Sequence, residues 1–351
     1  MLTDAQVMER CLQLARNGER SAAPNPLVGA VLVQGDRVLA EGWHERAGGP
    51  HAEVVCLGRW PTPVPKDATL YVNLEPCSHH GRTPPCADLI IERGVKKVVI
   101  AHVDPYAEVS GRGIERLRMA GVHVEVGVEA DHARWLNRRF LTSIERSRPY
   151  IVLKWASTTD GFIDGSPRTC RGSFRISSPT TDVLVHGWRA TEQAIMVGSR
   201  TVVQDDPRLD VRHTVGRDPL RVVLDRDNSI PSDSHIFTDG APTWLATRNA
   251  RSDVNVARTL LVGDSPLPTV LEELHRGMVR SILIEGGAEL IGHFLRMGLW
   301  DEARVITGAV HAGTGTLAPA LHLVPTRSFT SGSDRIDLYT NNTEPLPRWS
   351  W

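Results

Sequence analysis

Charged and apolar residues alternate at helical spacing through the opening stretch MLTDAQVMERCLQLARNGER and predict a helix near residues 4–17. Two apolar runs follow, Gly29 to Gln34 and Val38 to Trp43, with Gln34-Gly35-Asp36 as the turn of a hairpin. A short helix is expected over His51 to Leu57, and strands over Thr69 to Asn73 and Lys97 to His102. Cys86 to Arg93 and Gly113 to Ala120 carry the 3.6-residue period and each stops at a glycine, Gly94 and Gly121. The charged stretch Arg138 to Pro149 precedes a fresh apolar run, YIVLKWA, so the boundary falls near residue 146, giving domains over 1–145 and 146–351. In the second half, strands are expected over Ile151 to Ala156, Ala194 to Val197, Arg221 to Asp225, Thr243 to Thr247, Ser281 to Glu285 and Ala303 to Thr307. Helices fall between most of them. Alternation of this kind predicts two layered α/β domains.

Composition narrows the function classes. The chain is 41% hydrophobic and 23% charged with a formal net charge of -1, which lacks the field that gathers nucleic acid. A base deaminase acting on RNA or DNA is therefore the weaker of the zinc-enzyme readings. No apolar run approaches the roughly 18 residues of a spanning helix, and the opening stretch lacks a signal-peptide core, so the expectation is a cytoplasmic protein without a membrane partner. Five cysteines, Cys11, Cys56, Cys77, Cys86 and Cys170, suit a reducing compartment better than a disulfide framework.

His51-Ala52-Glu53, followed by Pro76-Cys77 and then Cys86, changes the picture most. One imidazole and two thiolates leave a fourth tetrahedral position on zinc for water, as a catalytic site requires. Glu53 sits two residues after His51 on the expected helix and reaches the water side as a proton shuttle. The pattern is that of nucleobase-type zinc deaminases, H-x-E with P-C-x-x-C, but here SHHGRTPP separates the two cysteines. Cys86 then enters at a helix N-terminus, where the dipole favours a thiolate. His79 or His80 offers a fourth ligand for the alternative, a closed structural zinc. Cys11, Cys56 and Cys170 read as small core residues.

APNPLVGAVLV, GWHERAGGPHAE, NLEPCSHHGRTPPC and DPYAEVSGRGIERLRMAGV together resemble the deaminase half of bifunctional riboflavin-biosynthesis deaminase/reductases. The resemblance implies a cytidine-deaminase-like three-layer domain with zinc on His51, Cys77 and Cys86, proton transfer by Glu53, and substrate contacts from Asn25, His44 and Arg82. On the residues alone, Asn25 between two prolines is either a turn-former or a reader of a polar substrate edge, and Arg82 is either a phosphate contact or a solvated loop arginine.

The second half carries ILIEGGAELIGHFL, a strand, a double glycine and a helix, which is not a GxGxxG fingerprint but lets backbone N–H groups approach a phosphate. LKWASTTDGFID and AIMVGSRTVVQDDPRLDVR bring Lys154, Asp160, Asp205, Asp206 and Arg212 near strand ends, where α/β ligand sites gather. These blocks resemble the reductase half of the same family, with a dihydrofolate-reductase-like α/β fold that binds NADPH. The resemblance implies substrate positions at Lys154, Ser173, Arg189, Leu209, Arg212 and Glu285, and cofactor positions at Ser157, Thr201, Asp205, Gly286 and Gly287. Arg175-Ile176-Ser177 stands where the family usually has a tryptophan, so Arg175 offers a guanidinium in place of an aromatic against the cofactor. The expected activity is deamination of a pyrimidine ribosyl phosphate followed by NADPH-dependent reduction of its ribosyl chain, in a homodimer or homotetramer. The rival from another class is a deaminase whose second domain is a degenerate nucleotide-binding or oligomerisation scaffold.

Overall fold

The computed structural model describes residues 2–61, 63–79, 84–106, 108–166 and 171–341. The chain divides into two compact units that meet between Arg146 and Ser147. In unit 1 the elements run α1 (Asp4–Arg16), β1 (Gly29–Gln34), β2 (Arg37–Trp43), α2 (Ala52–Gly58), β3 (Thr69–Val72), α3 (Cys86–Glu92), β4 (Lys97–Ile100), α4 (Arg112–Met119), β5 (His123–Val126), α5 (Ala130–Leu136) and α6 (Arg138–Arg146). The sheet order is β2-β1-β3-β4-β5. β1 is antiparallel to both its neighbours, and β3, β4 and β5 are parallel.

Strand alternation explains why this sheet is sandwiched. Ala30, Leu32, Leu70, Val98 and Ile100 pack on one face against α2, α3 and α4, while Val31, Val33, Tyr71, Val99 and Ala101 pack on the other against α1 and α5. Close approach is enforced at Gly42, where a Cβ would lie 2.4 Å from the Cys56 backbone nitrogen, so α2 rests directly on β2. Thr3 caps α1 through a reciprocal capping box with Gln6. The two glycine stops behave as the sequence predicts: Gly94 and Gly121 take φ of 74° and 79°, and the following N–H groups of Val95 and Val122 close back on the Ile90 and Leu117 carbonyls.

Unit 2 runs β6 (Tyr150–Ser157), α7 (Pro179–Thr191), β7 (Ala194–Gly198), α8 (Ser199–Asp205), β8 (Leu220–Leu224), α9 (His235–Thr238), β9 (Thr243–Thr247), β10 (Arg258–Leu261), α10 (Pro266–Arg276), β11 (Ser281–Glu285), α11 (Ala288–Arg296), β12 (Glu302–Thr307), β13 (Arg327–Ser331) and β14 (Asp334–Thr340). Its sheet is ordered β10-β9-β8-β7-β11-β6-β12-β14-β13, parallel from β10 to β12 and antiparallel in the final two pairings. Ile151, Leu153 and Trp155 face one core with α10 and α11, and Tyr150 and Val152 face the other.

Several elements differ from the sequence reading. The four-residue strands β5 (HVEV) and β10 (RTLL) are too short and too polar to show a period, and β13 (RSFTS) is largely exposed. The charged stretch before Pro149 is helix α6 as far as Arg146: Leu141, Thr142 and Ser143 are buried and the charges lie on the other face. His51 is not within a helix. It occupies the N-cap of α2, with extended backbone at φ -72° and ψ 161°.

His102, which follows β4, is only 6% exposed; its Nδ1 donates to the Val103 carbonyl at 2.8 Å, and its Nε2 has no partner among the described residues. Burial lowers its pKa to about 4, so it stays neutral in the folded protein and protonates only on unfolding in the intervening range. The stability this contributes is present above the unfolded value near 6.5 and is lost as pH falls toward the folded value. We expect unit 1 of the wild type to lose about 2 kcal/mol more than His102→Asn between pH 7 and pH 5 in denaturant titrations. Parallel pH curves for the two proteins would refute the assignment.

Candidate functional sites

Two helix starts and one strand exit build the first site. His51 at the N-cap of α2, Cys86 at the first residue of α3, and Cys77 in the segment after β3 bring Nδ1 and two Sγ atoms within 4.8 Å of one another. His51 Nδ1 lies 3.3 Å from Cys86 Sγ and 3.6 Å from Cys77 Sγ. Tetrahedral zinc with its usual bonds to nitrogen and sulfur has edges of about 3.5 Å, so the donor set fits this ion in both chemistry and spacing. His79 is not among the converging donors, and His80, Arg82 and Cys170 lie outside the described residues.

Glu53 lies in the first turn of α2 and is 3% exposed. Burial pushes its carboxyl up to about 7, against the opposing pull of His51. The thiols are coupled. Hydrogen bonding from the Cys86 thiol, then from His51 and the Cys86 N–H, draws Cys77 down to about 4, while that coupling and burial raise Cys86.

The anticipated Asn25 and His44 join this site. The His44 and His51 rings meet edge to face at 5.7 Å. A carbonyl only accepts, so the 2.9 Å contact from His44 Nδ1 to the Pro50 oxygen puts the proton on Nδ1. Burial lowers the His44 pKa, leaving Nε2 as an acceptor for the Asn25 amide at 3.0 Å. The Asn25 loop is pinned at Leu27: Asn137 Oδ1 accepts the Leu27 N–H at 2.7 Å, and the Asn137 and Asn73 amides both donate to the Leu27 carbonyl at 3.0 Å.

Glu75 anchors the cysteine segment. Its buried carboxylate accepts the N–H groups of Asp104, Gly111, Gly113 and Ile114 at 2.9–3.3 Å. Gly113 passes so near that a Cβ would sit 1.9 Å from the Pro76 oxygen. Asn73, Glu75 and Asn137 are absent from the sequence reading. The signal for two of them is the polar pair within NLEPC, just after an apolar strand.

The second site is a cavity of about 610 Å³ in unit 2, at the C-terminal ends of β6, β7 and β11. Lys154 and Glu285 are register partners on β6 and β11, with Nζ 3.7 Å from Oε2, and Arg189 on α7 makes a two-bond fork to Glu285 at 2.8 Å each. Burial alone would raise the Glu285 carboxyl, but Arg189 and Lys154 outweigh it and hold it at about 2. Of the sequence-predicted residues, Ser173, Arg175, Thr201, Asp205, Leu209, Arg212, Gly286 and Gly287 line the same cavity. Ser157 does not: it is buried at the end of β6, with its hydroxyl 3.5 Å from the Ile306 carbonyl. Asp160 is also outside it, accepting the Ala312 and Gly313 N–H groups and the Thr158 hydroxyl. Arg175 is paired with Asp182 at 2.5 Å. Thr201 Oγ1 accepts the Gly287 N–H at 3.0 Å and so joins α8 to the double-glycine turn. His186 lines the cavity and was missed by the sequence reading, because it lies on the core side of α7 like any apolar position.

Residues 1–102 match the cytidine and deoxycytidylate deaminase zinc-binding region, and residues 149–329 match the RibD C-terminal domain. The chain is 39% identical over 320 residues to the riboflavin biosynthesis protein RibD of Aquifex aeolicus, covering 89% of this chain and 88% of that one. It is 41% identical over 329 residues to RibD of Synechocystis sp., covering 91% and 88%. The chain belongs to the RibD family. A RibD of this kind is a bifunctional enzyme of riboflavin biosynthesis that deaminates and then reduces, with zinc and NADPH as cofactors. The fold also resembles the crystal structure of a diaminohydroxyphosphoribosylaminopyrimidine deaminase/5-amino-6-(5-phosphoribosylamino)uracil reductase from Thermotoga maritima, with a TM-score of 0.86 and 33% identity, covering 95% of this chain and 97% of that one. Both RibD domains are matched, which sets aside the nucleic-acid deaminase and the scaffold-only second domain. Among the described residues, no helix is long and apolar enough to cross a membrane.

The Glu75 carboxylate faces four N–H donors, and Glu75→Gln turns one oxygen into a competing donor. We expect about 2 kcal/mol of lost stability, with zinc released at lower chelator concentration than from wild type. Unchanged unfolding and chelator curves would show that the anchor is dispensable.

Proposed function

We propose that the substrate is 2,5-diamino-6-(5-phosphoribosylamino)pyrimidin-4-one, deaminated by residues 1–145 and then reduced at the ribosyl chain by residues 146–351. The observation carrying the first half is the convergence of His51, Cys77 and Cys86 with a buried Glu53 beside them. In this reading the three side chains hold zinc, which supplies the Lewis acidity that makes water nucleophilic at neutral pH. Glu53 accepts a proton from the attacking water and passes it to the ring nitrogen. Glu53 then carries the proton of the added hydroxyl to the amino group, which leaves as ammonia while the carbonyl forms, so the two protons of water end on the ring nitrogen and on ammonia. Asn25 and His44, locked together by the Pro50 carbonyl, read the polar edge of the substrate, and Arg82 is assigned to the substrate phosphate.

For the reductase, NADPH supplies a hydride to the sugar C1. Lys154, Ser173, Arg189, Leu209, Arg212 and Glu285 are assigned to the substrate, and Ser157, Arg175, Thr201, Asp205, Gly286 and Gly287 to the cofactor. Eleven of these twelve border one cavity, which supports the assignment; Ser157 contributes from behind its wall. The Glu285 carboxylate fixes Arg189 and Lys154 so that their donors are oriented before the substrate arrives, and Lys154 or Asp205 delivers the proton that completes the reduction. Arg175 presents a planar cation in this wall, already matched by Asp182. A cytoplasmic homodimer or homotetramer belongs to the same reading; the free thiols of Cys11, Cys56, Cys77 and Cys86 suit that compartment.

The test follows ammonia release and NADPH oxidation separately in the zinc-loaded protein. Glu53→Gln is expected to lower ammonia release at least about 100-fold. It should retain its zinc and still oxidise NADPH when given the deaminated intermediate. Ammonia release at the wild-type rate by the variant, or none from the wild type, would overturn the deaminase reading; no NADPH oxidation with the intermediate would overturn the reductase reading.

A further inference from the structure

His186 lies on α7 one turn before Arg189, is 3% exposed, and forms part of the wall of the unit 2 cavity. Its Nδ1 accepts the backbone N–H of Arg212 at 3.1 Å. An imidazole nitrogen that accepts carries no proton, so in the neutral ring the proton sits on Nε2. Burial first, then the neighbouring Arg189, Arg212 and His213, hold the pKa down at about 4, so this tautomer persists at neutral pH. The His213 ring packs edge to face at 4.5 Å and fixes the plane of the imidazole. Nε2–H has no hydrogen-bond partner among the described residues.

The cations around it are already matched. Arg189 is committed to Glu285 and to the Asp210 carbonyl, and the Arg212 guanidinium to the Asp210 carboxylate. An anion entering this end of the cavity finds positive potential from both guanidiniums, but their paired hydrogen bonds must be shared or broken. The imidazole donor is free. We propose that His186 is a binding residue of the reductase site, donating Nε2–H to a phosphate-ester oxygen of the ribosyl substrate. This rests on the reductase reading above and adds to it a neutral, tautomer-locked donor that complements the charged ones.

The same locking ties the 209–213 segment to α7, so the competing explanation is a purely structural histidine. Two variants and one spectrum separate them. His186→Asn keeps an acceptor near the Arg212 N–H but removes the outer donor, while His186→Gln keeps a donor at the outer position. For NADPH oxidation with the phosphorylated intermediate, we expect His186→Asn to raise KM about tenfold with kcat changed less than about twofold, and His186→Gln to recover most of the loss. In the full-length zinc-loaded wild type with nitrogen-15-labelled histidine, the His186 Nε2 resonance should move on adding ribose 5-phosphate and stay still with ribose. The proposal is overturned if that resonance ignores ribose 5-phosphate, or if the Asn and Gln variants behave alike. The spectrum decides alone if a variant fails to fold. A wild type that never oxidises NADPH would instead defeat the reductase reading on which this rests.

Discussion

A carboxylate taken out of water must be matched by donors or cations or else give up its charge, and three buried glutamates meet that demand in three ways. Glu75 has four backbone N–H groups and becomes an anchor. Glu285 has Arg189 and Lys154 and stays ionised although it is only 8% exposed. Glu53 has only the weaker pull of His51 and hydrogen bonds to set against burial, so its carboxyl rises to about 7, the condition for a group that takes up and releases protons. One residue type thus serves as anchor and counter-ion and, in the proposed reaction, as shuttle, and only the surroundings distinguish the roles.

Both sites inherit their positions from sheet geometry. A parallel strand buried on both faces has nowhere to place polar chemistry except its ends. Cys77 follows β3, Glu285 closes β11, and Lys154 lies beside it in register on the longer β6. In unit 1 the helix starts at His51 and Cys86 face the same end of the sheet, which turns a 35-residue separation in sequence into neighbouring donor atoms.

Much of this was legible in the chain because spacing encodes it. The His-Ala-Glu and Pro-Cys pattern, the glycine stops of α3 and α4, and the long parallel strands all announce themselves by period or motif. The elements that were missed are those for which period carries no information: four-residue strands such as β5, and the exposed edge strand β13. The overlooked site residues share another cause. Glu75, Asn73, Asn137 and His186 are polar side chains at positions whose neighbours are core, and their purpose appears only when a backbone group from a distant segment arrives beside them. Ser157 shows the converse, since a strand-end serine falls behind the cavity wall when its hydroxyl turns toward the Ile306 carbonyl.

The clasp on Leu27 has a consequence for the order of events during synthesis. Its two asparagine side chains come from 46 and 110 positions downstream. While the chain is still emerging, the Asn25 loop lacks the partners that shape it, although the strands around it already have theirs. Pairing at such separation carries a loop-closure cost that is recovered late in folding. The first site therefore takes its final form only once residue 137 is free to reach back, a built-in delay between formation of the sheet and competence for chemistry.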